Sequence, residues 1–581
     1  MKGRHGEGMS TWSKGFEDTR ADAMSADAVG ADGVSADGVL VEPVEPWRAP
    51  DSLAALCLKE PGLVLLRSQS FEHSRARYSF LAVCPFLTLR ARGSRCELSA
   101  RGLTRVVAAS PWSVIRDLMA RYEASGAEQV PLPLGGCFGY WGYGLRTFVE
   151  PRLPARSPDD LGLPDCWLGF YDSLLAFDHR QGKCWIIAAG LAEDGSRSLR
   201  RARDAVARWR SRIEACPPAG ENGREPPSPP PAIRWLSEMC CGLARERGCG
   251  GDLPPVESSF TREGFLSAVE RAREHIFAGD IFQLNLSQRL SARAPVDAWT
   301  FYRQLSAASP APFSAYLDCG GFSLCSSSPE LFLRMDGPRI VTRPIKGTRP
   351  RGADPEEDGR LRGELQESAK EMAELIMITD LLRNDVGRLS EFGSVRVPEI
   401  AHLERFAQVY HLVSTVEGRL RPDVSHADAL ASCFPGGSIS GAPKIRALEI
   451  IDELEPVARG PYTGSIGYLG FNRRSQLSII IRTAIHTGSS IHFHVGAGIV
   501  ADSVAEAEYD ETLAKAAGFL AALAAGDGLS GTPRRFAAAP TATAVATAMA
   551  STTPTTPSTR EMSAPPTAPA PPAAAERIVR S

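Results

Sequence analysis

Phe282-Gln283-Leu284-Asn285-Leu286-Ser287 alternates apolar and polar residues. A period of two marks a strand with one face buried: Phe282, Leu284 and Leu286 point one way, Gln283, Asn285 and Ser287 the other. Two readings of the polar face stand, a solvated surface or a wall of a polar pocket. Just upstream, Phe265, Val269, Ala272 and Ile276 make one apolar stripe of a helix that stops near Gly279.

Working outward, the stretch 216–257 contains Pro226-Pro227-Ser228-Pro229-Pro230-Pro231 and reads as a Pro/Gly-rich linker. It separates an N-terminal segment, 46–215, from a C-terminal one, 258–525. Residues 1–45 repeat Ala-Asp-Gly-Val words, and 526–581 are almost all Ala, Pro and Thr. Neither end has the large side chains that offset the entropy of ordering, so both are expected to be disordered. In the N-terminal segment, Leu63-Val64-Leu65-Leu66 and Trp185-Ile186-Ile187-Ala188 are runs of strand length. Ser110-Pro111 supplies an N-cap and an N1 proline to a helix with Val114, Ile115, Leu118, Met119 and Tyr122 at helical spacing. The run Gly135–Gly144 is followed by no Gly-Lys-Ser/Thr, so it reads as close strand packing and not as a phosphate loop.

Charged residues are 23% of the 581 and hydrophobic ones 43%, the balance of a globular protein, with a formal net charge of -3. That charge argues against a nucleic-acid or anionic-membrane partner. No apolar run approaches the ~20 residues of a bilayer span, and the N-terminus has no apolar signal region, so a cytoplasmic enzyme is expected. The 13 cysteines are odd in number. Only Cys240, Cys241 and Cys249 cluster, without paired spacing or a fourth ligand, so reduced thiols are expected and not a zinc site.

Two segments carry acidic pairs at helical spacing. Glu371 and Glu374 lie in a long helical pattern running from Glu356 to Leu382; Glu508, Glu511 and Lys515 share one stripe further on. A solvated acidic face is the plain reading, but the apolar flanks Leu375-Ile376-Met377-Ile378 and Leu513-Ala514 point to burial. Buried carboxylates need protons, partners or a cation, and four converging from two helices suit Mg²⁺, a hard ion that takes oxygen ligands. Gly347-Thr348, Gly436–Gly441 and Gly496-Ala497-Gly498 expose backbone N–H groups that either bind a small anion or make ordinary turns. Arg482, after the apolar run Leu477–Ile481, is placed to clamp a carboxylate or to pair with a structural acid.

The order of motifs in the C-terminal segment resembles the chorismate-utilising enzyme family, which includes anthranilate, aminodeoxychorismate, isochorismate and salicylate synthases. The matching runs are Ser328-Pro329-Glu330, Pro344–Thr348, Ala373–Asp385, His411–Ser414, Ser440–Lys444, Tyr462–Tyr468, Gly496–Gly498 and Glu508–Glu511. The N-terminal match is looser and rests on Arg77-Tyr78-Ser79-Phe80 and the run 135–144. The resemblance implies an α+β fold of two large packed antiparallel sheets flanked by helices in α/β/β/α layers, both segments contributing. It also implies Mg²⁺ held directly by Glu374 and Glu511, with Glu371 and Glu508 acting through water. Gly347, Thr348, Tyr462, Arg482, Gly496, Ala497, Gly498 and Lys515 are then contacts to the two carboxylates of chorismate. His411 lines the site or packs as a structural histidine.

Within the family, two positions set the nucleophile. The water-using members have a lysine base where this chain has Gln283, so the resemblance implies ammonia as nucleophile. Lys346 stands where anthranilate synthases typically have alanine. The resemblance gives it a covalent role: its amine attacks ring C2, Glu330 protonates the departing 4-hydroxyl, and ammonia then adds at C4. Attack requires the neutral amine, which Mg²⁺ and Arg482 nearby favour by charge repulsion. The implied product is 4-amino-4-deoxychorismate on the way to 4-aminobenzoate and folate. The alternative is anthranilate, and a remoter one is a non-catalytic tryptophan-binding or scaffold protein. No glutaminase segment is recognisable, so a separate glutamine amidotransferase subunit is expected to supply ammonia. By position in related enzymes, Ser68, Arg77, Tyr78, Ser79, Phe80, Pro312, Phe313 and Ser314 line a tryptophan pocket.

Overall fold

The computed structural model describes residues 38–69, 77–124, 130–153, 155–217, 255–352, 354–405 and 409–525. The expectations for 1–37, 218–254 and 526–581, including Cys240, Cys241 and Cys249, lie outside these residues.

The alternating strands pair into two antiparallel sheets of twelve strands each. The first begins with Leu40–Val44, Lys183–Ala188, Ser173–Asp178, Tyr78–Ala82 and Val64–Arg67, all N-terminal. It continues through Phe313–Asp318, Ser323–Ser328, Thr483–His486, Ser490–Ile499, Gln283–Arg293 and Val256–Ser258, all C-terminal. The short strand Gly441–Ala442 joins it against Gln283–Arg293. The second sheet runs from Ile345–Pro350 through Val409–Arg419, Arg339–Thr342, Leu331–Asp336, Arg474–Ile479 and Ser465–Gly470. It ends in the N-terminal strands Gly136–Trp141, Cys166–Tyr171, Leu87–Arg92, Arg95–Ala100 and Leu103–Ala108, and Arg396–Arg405 adds to Val409–Arg419. Each sheet therefore holds strands of both segments. Gly139 shows the close packing expected of the glycine-rich run, since a Cβ there would lie 2.1 Å from the Trp167 carbonyl.

Strand parity sorts the side chains into layers. Val64, Phe80 and Ala82 join Leu89, Phe138 and Leu168 in a core between the sheets. Leu65, Leu81, Leu284 and Leu286 face the opposite way, onto the helices Leu199–Glu214, Arg262–Phe277, Ala298–Ala308 and Ala505–Ala524. The helices Pro111–Tyr122, Ala369–Gly387 and His426–Cys433 cover the far side of the second sheet. The architecture is thus the α/β/β/α sandwich expected.

Three expectations change. The boundary at 45 is too late, because Leu40–Val44 pairs in full register with Lys183–Ala188. Phe282 does not belong to the buried stripe: the strand starts at Gln283 and Phe282 is 69% exposed. The long helical pattern from Glu356 breaks into Pro355–Glu367 and Ala369–Gly387, where Ser368 leaves helical geometry and its hydroxyl caps the Glu371 N–H at 3.3 Å. Among the described residues all cysteines are unpaired thiols, and no helix is long and apolar enough to cross a membrane.

Candidate active site

The site gathers where the two sheets meet the first acidic helix, Ala369–Gly387. Ile345–Pro350 lies at the edge of the second sheet and pairs with Val409–Arg419, with a bulge between Lys346 and Thr348. Gly347 is the bulged residue, in the left-handed region at φ +72°. A Cβ there would meet the Leu365 side chain at 2.8 Å and a Glu371 carboxylate oxygen at 3.2 Å. Glycine is what lets the strand turn so closely over the acidic helix. The bulge re-aims its neighbours: Lys346 Nζ lies 3.6 Å from Glu374 Oε2, while the Thr348 hydroxyl bonds His411 Nδ1 at 2.9 Å. The Lys346 side chain is only 16% exposed.

The strand Gln283–Arg293 turns its polar face here, and with Gln283 and Ser287 both buried that face is not a solvated surface. Gln283 is buried and its amide donates to Glu374 Oε2 at 3.4 Å, while its Oε1 has no partner. Opposite, on Ser490–Ile499, a Cβ at Gly498 would lie 2.7 Å from Gln283 Nε2 and 3.4 Å from Lys346 Nζ. Gln283 and Lys346 therefore meet over the bare backbone of Gly498. The Ser440–Lys444 run closes the near side, its Gly441–Ala442 pairing with Gln283 and Leu284.

Glu330 sits where the chain crosses from Ser323–Ser328 in the first sheet to Leu331–Asp336 in the second. It is buried, and burial pushes its carboxyl up to about 7, against the opposing pull of Ser438, Lys346 and the Ile345 backbone. Burial outweighs the nearby Lys346 charge and favours the protonated carboxyl. His411 is driven the other way, down to about 3, by burial and by Arg482, and stays neutral.

The four acidic residues face one another across the acidic helices. Burial raises the proton affinity of Glu371, and Glu374 and Glu511 raise it further; burial and Glu511 do the same to Glu508. The carboxylates also have protein partners: Glu371 Arg349 at 3.6 Å, Glu511 Lys515 at 2.7 Å, and Glu508 the Ser503 hydroxyl at 2.6 Å. Among the described residues no three His, Cys, Asp or Glu side chains close tightly enough to hold an ion alone. Carboxylate oxygens are the donor type a hard cation takes.

The remaining residues are placed as follows. Lys515 Nζ donates to the Gly496 carbonyl at 2.7 Å. The Tyr462 hydroxyl would lie 3.0 Å from a Cβ at Gly496. Arg482 is held at φ +48°, and its carbonyl accepts from Ser327 N–H at 3.0 Å. Ala497 sends its methyl into the helix-side core, so only its backbone can touch a ligand. The sequence reading missed the buried Arg459–Glu455 pair at 2.7 Å, which ties this wall together. Arg459 also bonds the Asn285 and Ile439 carbonyls and Thr463, and Glu455 accepts from Ser287.

Of the residues expected around tryptophan, the Ser68 N–H donates to the Ser79 hydroxyl at 3.0 Å, and Ser314 lies on the adjoining strand, opposite Arg67. Arg77 is committed to Asp178 at 2.6 Å and its guanidinium lies over Tyr78, while Phe80 fills the core between the sheets. Phe313 opens the Ser314 strand, and Pro312 lies in the turn just before it. His179, not anticipated, bonds Ser79 at 2.6 Å.

The family described as chorismate binding enzyme matches residues 70–521. Anthranilate synthase component 1 of Thermus thermophilus is 42% identical over 475 residues, 81% of this chain and 94% of that protein. Aminodeoxychorismate synthase component 1 of Klebsiella aerogenes is 37% identical over 473 residues, 81% of this chain and 96% of that protein. The solved structure of anthranilate synthase component I from Streptococcus pneumoniae TIGR4 superposes with a TM-score of 0.64 at 31% identity, covering 78% of this chain and 93% of that one. The menaquinone-specific isochorismate synthase of Escherichia coli shares the fold at 17% identity and a TM-score of 0.59, over 84% of this chain and 94% of that one. The chain belongs to the chorismate binding enzyme family and is a chorismate-utilising enzyme.

Proposed function

We propose that this enzyme replaces the 4-hydroxyl of chorismate with ammonia, giving 4-amino-4-deoxychorismate and water through a covalent bond to Lys346. The observation that carries this is the meeting of Lys346 and Gln283 over Gly498, beside Glu374. The Lys346 amine adds to C2, both ring double bonds shift by one bond toward C4, and the C4–O bond breaks. Glu330 delivers its proton to the leaving oxygen; a carboxyl at about 7 still holds one near neutrality. Ammonia then bonds C4, both double bonds return and the C2–N bond to Lys346 breaks. Splitting one displacement into two is the gain of covalent catalysis. Gln283 Oε1, buried and unpartnered, is an acceptor suited to an ammonia N–H and is no base for water. Arg482, Lys515 and the backbone of Gly496 and Gly498 hold the substrate carboxylates. Glu374 and Glu511 would bind Mg²⁺ directly, and Glu371 and Glu508 through water; the ion would neutralise the ring carboxylate. The relatives are named as component 1 of their enzymes, which supports a second, glutaminase subunit as the source of ammonia.

The second reading is anthranilate synthesis, with elimination of pyruvate. The relatives favour it: those named anthranilate synthase component 1 reach 42% identity and outnumber the aminodeoxychorismate synthase. On relatives alone this alternative is the better backed, and the lysine is what speaks against it. Product analysis from chorismate, Mg²⁺ and ammonium salt decides. Aminodeoxychorismate without pyruvate, and a loss of roughly 10²-fold or more in kcat for Lys346→Ala, are expected. Fluorescent anthranilate with stoichiometric pyruvate establishes the alternative.

A further inference from the structure

The polar face of Gln283–Arg293 does not end at the active site. Along it, Asn285, Ser287, Arg289 and Ser291 stand opposite Gly498, Gly496, His494 and His492 of the neighbouring strand. The stripe runs from the chorismate site to the surface. At its outer end Arg289 makes a two-pronged bond to Asp160, at 2.7 and 2.5 Å, and the Asp160 side chain is 46% exposed.

The middle of the stripe is unsatisfied. His494 is 3% exposed, yet neither of its ring nitrogens has a partner, and the adjoining Arg289 Nε also has none. Buried polar atoms in native proteins are almost always paired, if not by protein then by a small polar guest. The His494 ring stacks on Tyr462 at 4.8 Å and 13°, and the Tyr462 hydroxyl reaches Gly496. At the inner end Gln283 Oε1 is likewise buried and unpartnered. On the strand of His494, only glycines line the stripe between it and Gln283. Burial, Arg289 and Arg459 hold His494 neutral, and the same two guanidiniums repel ammonium. A neutral imidazole offers one donor and one acceptor, which matches ammonia with its lone pair and N–H groups.

We propose that this stripe is the entry route for neutral ammonia, from the Asp160–Arg289 pair past His494 and Tyr462 to Gln283. It rests on the amination reading above. The test uses the full-length protein with ammonium chloride as the only nitrogen source, varied against saturating chorismate and then the reverse. His494→Phe keeps a ring against Tyr462 without nitrogens; His494→Gln restores a donor and an acceptor. The phenylalanine variant is expected to raise KM for ammonia by about fivefold or more, with KM for chorismate within about twofold, and glutamine to restore most of it. Should the phenylalanine variant not fold, Asp160→Ala at the exposed end serves. Freed from its partner, Arg289 donates to the unprotonated His494 nitrogen and takes the acceptor ammonia would use, so KM for ammonia alone rises. An unchanged KM for ammonia in the folded variants overturns the route and leaves amination standing. No aminated product from the unaltered enzyme overturns the amination reading itself.

Discussion

In the proposed substitution Lys346 is the nucleophile and Glu330 the acid, and the fold sets the two apart by environment. Lys346 lies against the Glu374 carboxylate at 3.6 Å. Glu330 is walled in at the crossover between sheets, where burial holds its proton. The sign of the pH dependence follows: the active acid form fills below about 7 and empties as pH rises through it. With free ammonia held constant at each pH, kcat is expected to fall on the alkaline side with a midpoint near 7. Glu330→Gln should lower kcat by roughly 10²-fold or more and abolish that limb. A limb that persists unchanged in the variant assigns it to another group. Both residues were legible in the sequence through the motifs around them. The environment of Glu330 was not, because the Ser438 contact and the crossover come from elements far apart in the chain. His494 and Arg459 gave no local signal at all, since their meaning lies in what surrounds them.

At the scale of elements, the bulge at Gly347 and the break at Ser368 place the lysine over the acidic helix. Gly347→Ala puts a methyl within 2.8 Å of Leu365 at a backbone conformation L-residues disfavour. The left-handed conformation alone costs about 1–2 kcal/mol. Denaturant unfolding should show a loss of that order or somewhat more, and activity should fall further than stability because Lys346 and Thr348 lose their aim. Equal, small effects on both would mean the bulge does not position the lysine. The alternation Gln283–Ser287 was readable because burial on one face imposes its own period. The strand start was not: Phe282 has the right polarity for the stripe and lies one residue outside the ladder. The break in the acidic helix had a written signal, Ser368 three residues before Glu371, the spacing of an N-cap, hidden inside an otherwise continuous helical pattern.

At the scale of the molecule, the N- and C-terminal segments are bound by more than shared sheets. Arg146 bonds the buried Asp452 at 2.8 Å, and the Arg156 N–H donates to the same carboxylate at 2.6 Å. Asp452→Ala removes the buried carboxylate that Arg146 and the Arg156 N–H share, so a loss of about 3–5 kcal/mol is expected, read as one cooperative unfolding transition. Two separate transitions would contradict the shared-core architecture. Strand pairing across the two segments carries no local sequence signal, and it was foreseen only through family resemblance. Covalent bonding of Lys346 to the substrate is read by intact-protein and peptide mass spectrometry after incubation with chorismate and Mg²⁺ without ammonia. A mass increase of chorismate less one water, mapped to Lys346, is the expected result. No adduct, together with full activity of Lys346→Ala, would contradict it.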